Sequence, residues 1–320
     1  MEISNKIPQY DDQHYAVVDL GSNSFHLLIV RFSDNKIEKV NKVKRKVRLA
    51  AGLNEQLELN IDAINNGLDC ISLFAKHLVS IPLSNIRIVA TATLRIAKNR
   101  NAFLSKANEI LPLDIKLLSG EQEAETIYSG VAHTCKNKCT QKRLVLDIGG
   151  ASTELIIGQH FMAKKAISLN LGCVSFREKY FTNGLLTDEN FNAAIDAAKH
   201  IVEPISPDYI KLGWQSAVGS SGTMRALAEI LAFKKQPIVI TDNFLQEIKQ
   251  ALIACKTIDS ITVNKGVFEG LRTDRSPVLA SGLCILIALF NCLQIKELKL
   301  STGALREGLL FEMLPLQKSS

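Results

Sequence analysis

The chain has 320 residues, of which 47% are hydrophobic and 22% are charged, and its formal net charge is +6. This composition is typical of a globular protein large enough for two domains, and it excludes the disordered and fibrous classes. Residues 1–14 contain no apolar segment of a secretory signal, so we expect a cytoplasmic protein. Residues 278–295 approach membrane-spanning length. We expect a buried helix there and no membrane partner, because the segment contains Ser281, Gly282, Asn291 and Gln294.

Apolar periodicity predicts strands alternating with helices. In chain order, the first half has predicted strands at 15–19, 25–32 and 39–49, a helix at 61–79, a strand at 86–90, a helix at 95–110, a strand at 114–118 and a helical stretch through Ala132. A polar linker at 136–142 leads to a hairpin that begins at Arg143. Beyond it lie a predicted helix at 188–202, a strand at 216–218, helices at 224–231, 242–254 and 277–293, a strand at 297–300 and a short terminal helix. This order predicts the α/β class.

One sequence pattern occurs twice. Tyr15–Val30 and Arg143–Gly158 each contain an apolar run, an Asp, a small turn and a second apolar run. The copies align Asp19 with Asp147, Gly21 with Gly149 and Ser24 with Ser152. Because the spacing is domain-sized, we expect two related halves facing a shared cleft.

The residue types in these hairpins suit phosphate binding. Small turn residues leave N–H and hydroxyl groups available to a phosphate, and the adjacent Asp can hold a divalent cation. A single copy is equally consistent with an Asp that only initiates a turn. Two copies in register favour a paired phosphate site, with candidate ligands Ser22, Asn23, Ser24, Gly149, Gly150 and Ser152.

Cysteines and basic residues give weaker signals. Seven cysteines lie in mostly apolar contexts and favour reduced thiols; of these, Cys135 and Cys139 adjoin His133 but lack a second pair that would complete a zinc site. The basic segment 42–48 either binds along a polyanion or is a charged edge strand protected against aggregation. Its sequence pattern is equally consistent with both interpretations. No nucleic-acid-binding motif is present.

Seven motifs occur in an order that resembles the exopolyphosphatase and guanosine pentaphosphate phosphohydrolase (Ppx/GppA) family, a branch of the actin, Hsp70 and sugar-kinase superfold. They are Asp19–His26, Thr91–Arg95, Ser119–Ala124, Asp147–Glu154, Leu171–Ser175, Gly219–Thr223 and Gly303–Gly308. The resemblance implies two actin-like (ribonuclease H-like) α/β domains around a central cleft. We expect domain I at 1–130, with 301–320 packing back on it, and domain II at 131–300. The resemblance also suggests a homodimer.

The resemblance implies a catalytic glutamate at Glu123. Ser119 and Gln122 fit a capping box, which puts Glu123 in the first turns of a helix. The alternative is that Glu121, Glu123 and Glu125 only complement the helix macrodipole. We expect this loop to border the cleft, where Glu123 would orient and deprotonate a water that attacks a terminal phosphoryl group.

The remaining site residues also follow from the resemblance. Arg95 and Arg275 match family arginines that line the site, although each could be an ordinary surface residue. Mg²⁺ is expected on Asp147 and Glu154, with Asp19 supporting it from the other hairpin. A helix start at Ser221 and Gly222 offers a further anion site, although small residues there are also common helix caps.

Three features depart from the family pattern. Ala151 replaces a usual third glycine, and its methyl group would crowd a phosphate if the turn required positive φ. Glu125 stands where relatives often carry Arg. The sequence ends at Ser320, so we expect a short form without the C-terminal helical domain, with doubtful processivity on long polyphosphate.

Three functions remain open from the sequence. The first is hydrolysis of terminal phosphate from polyphosphate, guanosine pentaphosphate or both. The second is a kinase of the same superfold. The third is a nucleotide-binding regulator with little turnover, which the substitutions at Ala151 and Glu125 keep in consideration.

Overall fold

The computed structural model describes residues 9–135, 140–263 and 265–315. Two compact units divide the chain: Met1–Ser119 together with Arg306–Ser320, and Gly120–Leu305. The boundary therefore falls between Ser119 and Gly120 rather than after residue 130. The reason is that helix Gly120–Thr134 packs against strands of the second unit. The predicted linker at 136–142 overlaps residues 136–139, which lie outside the described residues.

The first unit contains a five-stranded sheet. Its strands are β1 (His14–Leu20), β2 (Ser24–Ser33), β3 (Lys36–Lys46), β4 (Ile86–Ala90) and β5 (Lys116–Leu117), in the order β3-β2-β1-β4-β5. The first three strands are antiparallel neighbours, whereas β4 runs parallel to β1 and β5 runs parallel to β4. Helix α1 (Ile61–Ala75) lies between β3 and β4 in the chain, and α2 (Ala92–Ile96) and α3 (Arg100–Ile110) lie between β4 and β5.

Local chemistry explains where these helices begin. The Asn60 side chain caps α1 by accepting a hydrogen bond from the Ala63 N–H at 2.8 Å. The single helix predicted at 95–110 is divided into α2 and α3. Asn99 lies in the gap, and its side chain donates to the Leu59 carbonyl at 2.9 Å and accepts from the Leu59 N–H at 2.8 Å. These two hydrogen bonds attach the segment between α2 and α3 to the loop that contains Leu59.

The second unit repeats this strand order. Its strands are β6 (Arg143–Ile148), β7 (Thr153–Gln159), β8 (Met162–Leu169), β9 (Ser216–Ser220), β10 (Val239–Ile240) and β11 (Leu298–Leu300). The sheet order is β10-β11-β9-β6-β7-β8, so the order of the first sheet recurs with β10 added at one edge. The fold class is therefore confirmed as α/β with two actin-like units.

Helices complete the second unit, and one more joins the first. They are α4 (Gly120–Thr134), α5 (Cys173–Tyr180), α6 (Asp188–Val202), α7 (Ser206–Leu212), α8 (Ser221–Phe233), α9 (Asp242–Cys255), α10 (Leu279–Leu293) and α11 (Leu305–Met313). The sequence did not predict β8, α5, α7 or β10. Strand β8 is mostly half-buried at a sheet edge, and β10 has only two residues, so their apolar patterns are weak.

Helix α10 forms the core of the second unit. Among the described residues, the segment Ser276–Leu293 alone is long and apolar enough to cross a membrane, and 72% of it is buried inside the protein. A helix that is apolar on every side fits a protein core. The expectation of a buried helix at this position is confirmed.

Six cysteines within the described residues have free thiols: Cys70, Cys135, Cys173, Cys255, Cys284 and Cys292. Three of them, Cys70, Cys173 and Cys284, are buried. Burial raises the pKa of the Cys70 thiol to about 11, which keeps it protonated at neutral pH. Cys139 lies outside the described residues.

Candidate active site

The two repeated sequences form hairpins with matching geometry. In β1–β2, Asp19 lies opposite His26, and in β6–β7, Asp147 lies opposite Glu154. A Cβ atom added to Gly21 would lie 3.0 Å from the Ser24 carbonyl oxygen, and one added to Gly149 would lie 3.1 Å from that of Ser152. The two turns therefore share the same close backbone approach.

Three carboxylates are buried together in the second unit. Asp147 lies near the end of β6, Glu154 lies opposite it on β7, and Glu123 lies in the first turn of α4. Their exposed fractions are 9%, 1% and 6%, respectively. Glu121 and Glu125, on the same helix as Glu123, are exposed. Complementing the helix macrodipole does not require burial, so that alternative does not explain the position of Glu123.

Four residues form a row across the second sheet. Ser220, Asp147, Glu154 and Ser168 lie directly opposite one another on β9, β6, β7 and β8. The Ser168 hydroxyl donates to Glu154 Oε1 at 2.7 Å, and the Ser220 hydroxyl donates to Asp147 Oδ2. A serine therefore holds one carboxylate oxygen on each side of the acid pair.

Acidic groups are concentrated around Glu154. Burial, followed by the charges of Glu123 and Asp147, raises the pKa of Glu154 well above its usual range, whereas the hydroxyls of Ser168 and Ser152 lower it. A bound cation would relieve this repulsion.

The donor set suits Mg²⁺. Among the described residues, no group of three or more His, Cys, Asp or Glu forms a metal cage. Mg²⁺ commonly binds one or two carboxylates and keeps water and substrate phosphate as its other ligands. The oxygen atoms of Asp147 and Glu154 fit that mode.

Backbone hydrogen bonds from the start of α5 stabilise the turn between β6 and β7. The Gly149 carbonyl accepts from the Cys173 N–H and the Gly150 carbonyl from the Val174 N–H, both at 2.9 Å. A Cβ atom on Gly172 would lie 2.3 Å from both the Ala151 Cα and the Gly150 carbonyl oxygen, so this close approach requires glycine. The Leu171–Ser175 motif therefore supports the turn.

The condition for crowding at Ala151 is not met. That condition was a positive φ, and Ala151 is not among the residues that have one. The turn reverses direction without a left-handed residue there, so a methyl group causes no backbone strain. Glu125 is exposed and Glu123 is buried, so the two side chains occupy different environments.

The first unit has one acid in its hairpin. Burial raises the pKa of Asp19 to about 6, while the positive charge of Arg306 lowers it. The hydroxyl-bearing residues Ser22 and Ser24 are buried, and the Asn23 carbonyl accepts from the Arg48 N–H at 2.9 Å. Asp19 therefore lies near the end of β1, Ser22 and Asn23 lie in the turn, and Ser24 begins β2.

The two predicted arginines have partners of their own. Arg95 lies on α2 and donates to the Leu118 carbonyl at 3.0 Å. Arg275 lies shortly before α10 and contacts α8: its Nε is 3.0 Å from Glu229 Oε2, and it donates to the Gly222 carbonyl at 3.0 Å. Desolvation lowers the pKa of Arg275 from its ordinary value. Arg275 therefore lies beside the predicted anion site at Gly222.

The helix start at Ser221 is conformationally unusual. Ser221 has a φ of 79°, which is uncommon for a residue other than glycine, and its buried hydroxyl oxygen forms no hydrogen bond within the protein. Its neighbour Ser220 contacts Asp147, so the α8 start adjoins the acidic row.

Sequence reasoning gave no role to Ser168, Ser220 or Arg306. Ser220 and Arg306 occur inside motifs that were recognised, whereas Ser168 lies on a strand that was not predicted. The position of Ser168 depends on strand register, which the linear pattern does not supply.

Two sheets of the same strand order, each with an Asp-containing hairpin between its first two strands, define a protein of the actin-like class. The chain belongs to the Ppx/GppA phosphatase family, whose model matches residues 28–317. A curated relative from Vibrio cholerae, named guanosine-5'-triphosphate,3'-diphosphate pyrophosphatase, is 50% identical over 300 residues, which cover 94% of this chain and 59% of the relative. A relative of the same name from Pseudoalteromonas atlantica is 45% identical and covers 98% of this chain and 61% of the relative.

The chain thus spans about three fifths of the length of these relatives. Among solved structures, an exopolyphosphatase from Cytophaga hutchinsonii aligns with a TM-score of 0.82 at 21% identity, covering 94% of this chain and 97% of that one. The Aquifex aeolicus PPX-GPPA enzyme aligns with a TM-score of 0.73 at 23% identity, with coverages of 94% and 99%. These structural similarities support the fold.

Proposed function

We propose that this protein hydrolyses the terminal phosphoanhydride bond of guanosine pentaphosphate. The observation that carries the proposal is the burial of Glu123 beside the Asp147–Glu154 pair. The names of the relatives at 45% to 50% identity favour this substrate over inorganic polyphosphate. Polyphosphate presents the same terminal bond, so it remains the second substrate to test.

The reaction is attack of water on the terminal phosphorus. Glu123 orients the water and accepts its proton while the new O–P bond forms. The bond to the bridging oxygen breaks, releasing orthophosphate and guanosine tetraphosphate. A carboxylate in a buried position is suited to this role because little competing water surrounds it.

The other residues of the second unit bind and orient the phosphate. Hydrogen-bond donors of the Gly149–Ser152 turn and the Ser221 hydroxyl would contact phosphate oxygens. Mg²⁺ on Asp147 and Glu154 would supply positive charge that neutralises the phosphoryl oxygens. Arg275, at the Gly222 helix start, would contribute a further positive charge.

The test is phosphate release from guanosine pentaphosphate, short polyphosphate, long polyphosphate and ATP, with and without Mg²⁺. Glu123→Gln should reduce release by about 10³-fold or more while preserving substrate binding, because it removes the base and keeps the shape. Glu121→Gln is the matched control, since Glu121 lies in the same helical turn but is exposed. It should retain wild-type turnover.

Three outcomes would contradict the proposal. Full turnover in Glu123→Gln would remove this residue from the mechanism. Phosphorylation of a sugar or carboxylic acid, with polyphosphate and guanosine pentaphosphate left intact, would favour the kinase. Tight nucleotide binding without phosphate release would favour the regulator.

A further inference from the structure

The serines that flank the acid pair have a consequence for metal binding. Asp147 and Glu154 are adjacent cross-strand residues, so their carboxylates extend from the same face of the sheet. Two buried carboxylates of like charge repel each other, and unrestrained side chains would rotate apart. A cation bound by both needs them to stay close.

Each carboxylate is restrained from its outer side. Ser168 is the cross-strand neighbour of Glu154 on β8, and its hydroxyl reaches Oε1 at 2.7 Å. Ser220 is the neighbour of Asp147 on β9, and its hydroxyl reaches Oδ2. Each serine therefore fixes one carboxylate oxygen, and the Ser152 side chain is a further hydrogen-bond partner of Glu154.

We propose that Ser168 and Ser220 are positioning residues that hold the carboxylates of Glu154 and Asp147 for one divalent cation. This inference rests on the proposed function, because that function requires a cation at the acid pair. Hydrogen bonds to metal-ligating carboxylates fix their orientation, and losing such a bond typically costs 10- to 100-fold in metal affinity. The serines themselves do not contact the metal.

The test measures Mg²⁺ affinity by calorimetry on the intact chain without substrate. Ser168→Ala and Ser220→Ala should each weaken Mg²⁺ binding by about 10-fold or more. Ser168→Thr keeps the hydroxyl on a strand that tolerates β-branching, and it should bind Mg²⁺ within about twofold of wild type. Ser206→Ala is the matched control, because the Ser206 hydroxyl donates to the Glu203 carbonyl instead of an acid of the row.

Thermal unfolding of the metal-free protein distinguishes positioning of the carboxylates from a general contribution of the serines to stability. The proposal expects similar unfolding temperatures for Ser168→Ala and Ser206→Ala, with Mg²⁺ affinity reduced only in the former. Unchanged affinity in both row variants would overturn it, as would a wild-type protein that binds no Mg²⁺. A protein with serine-dependent Mg²⁺ binding that releases no phosphate would contradict the hydrolase and leave this inference standing.

Discussion

The two sheets carry equivalent rows of four residues that differ in charge. In the second sheet the row is Ser220, Asp147, Glu154 and Ser168. In the first sheet the strands in the same order place Val89, Asp19, His26 and Lys44 side by side. One row has two acids flanked by hydroxyl donors, whereas the other has one acid, an imidazole and an ammonium group. The same strand arrangement therefore carries an acidic row in the second sheet and a mixed, more basic row in the first.

The supports behind the two turns also differ. The first turn is held by the segment after β3, where the Arg48 and Ala50 N–H groups donate to the Asn23 and Ser22 carbonyls. The second turn is held by the start of α5, which approaches so closely that only Gly172 fits. Similar hairpins can thus be fixed by unrelated neighbours, while the residues in the row determine their chemistry.

The largest expected effect comes from substituting Glu154 in the second row and comparing the result with substitution of its counterpart His26 in the first row. Glu154→Gln should reduce Mg²⁺ affinity by more than about 100-fold and phosphate release by roughly 10³-fold, because it removes a charged metal ligand. His26→Gln changes the equivalent residue of the first row and should leave Mg²⁺ affinity within about twofold. Both are measured by calorimetry and by phosphate release at saturating Mg²⁺. Equal loss of Mg²⁺ affinity in both variants would break the distinction between the rows.

A smaller effect is expected from the support of the second turn. Gly172→Ala places a Cβ atom 2.3 Å from two backbone atoms, which cannot rotate away as a side chain could. We expect a loss of about 3 kcal/mol in the free energy of unfolding, measured by urea denaturation. Gly222→Ala is the control, since its Cβ would lie 3.9 Å from the nearest atom, a terminal nitrogen of Arg275. A loss below about 1 kcal/mol for Gly172→Ala would show that the turn adapts.

Much of the fold and the acid pair could be predicted from sequence. The duplicated Asp–turn pattern locates both hairpins because strand alternation and small turn residues are local signals. Asp147 and Glu154 were named from the family resemblance, whereas their direct cross-strand pairing is a finding of the structure. The position of Glu123 in a first helical turn followed from helix-start signals and is confirmed.

Residues that meet through distant pairing could not be found in this way. Ser220 reaches Asp147 across 73 residues of sequence, through a parallel pairing that no local pattern specifies. Ser168 lies on an edge strand whose alternation is weak. The charge of Arg306 lowers the Asp19 pKa because the chain rejoins the first unit at Arg306. Each case depends on tertiary arrangement rather than on propensity.

The smallest expected effect concerns the single acid of the first row. Burial raises the pKa of Asp19 to about 6 from an ordinary value of 3.8, so the native state binds more protons than the unfolded state between these values. Stability should therefore fall as pH rises from about 4 to about 6, by less than about 3 kcal/mol. Asp19→Asn should remove that fall in urea denaturation without divalent cations, and Asp69→Asn, at an exposed position, should not. Arg306→Gln should extend the fall above pH 6, because the charge that lowers the Asp19 pKa is lost. Parallel stability curves for wild type and Asp19→Asn would mean that the first row does not hold its acid in a desolvated state.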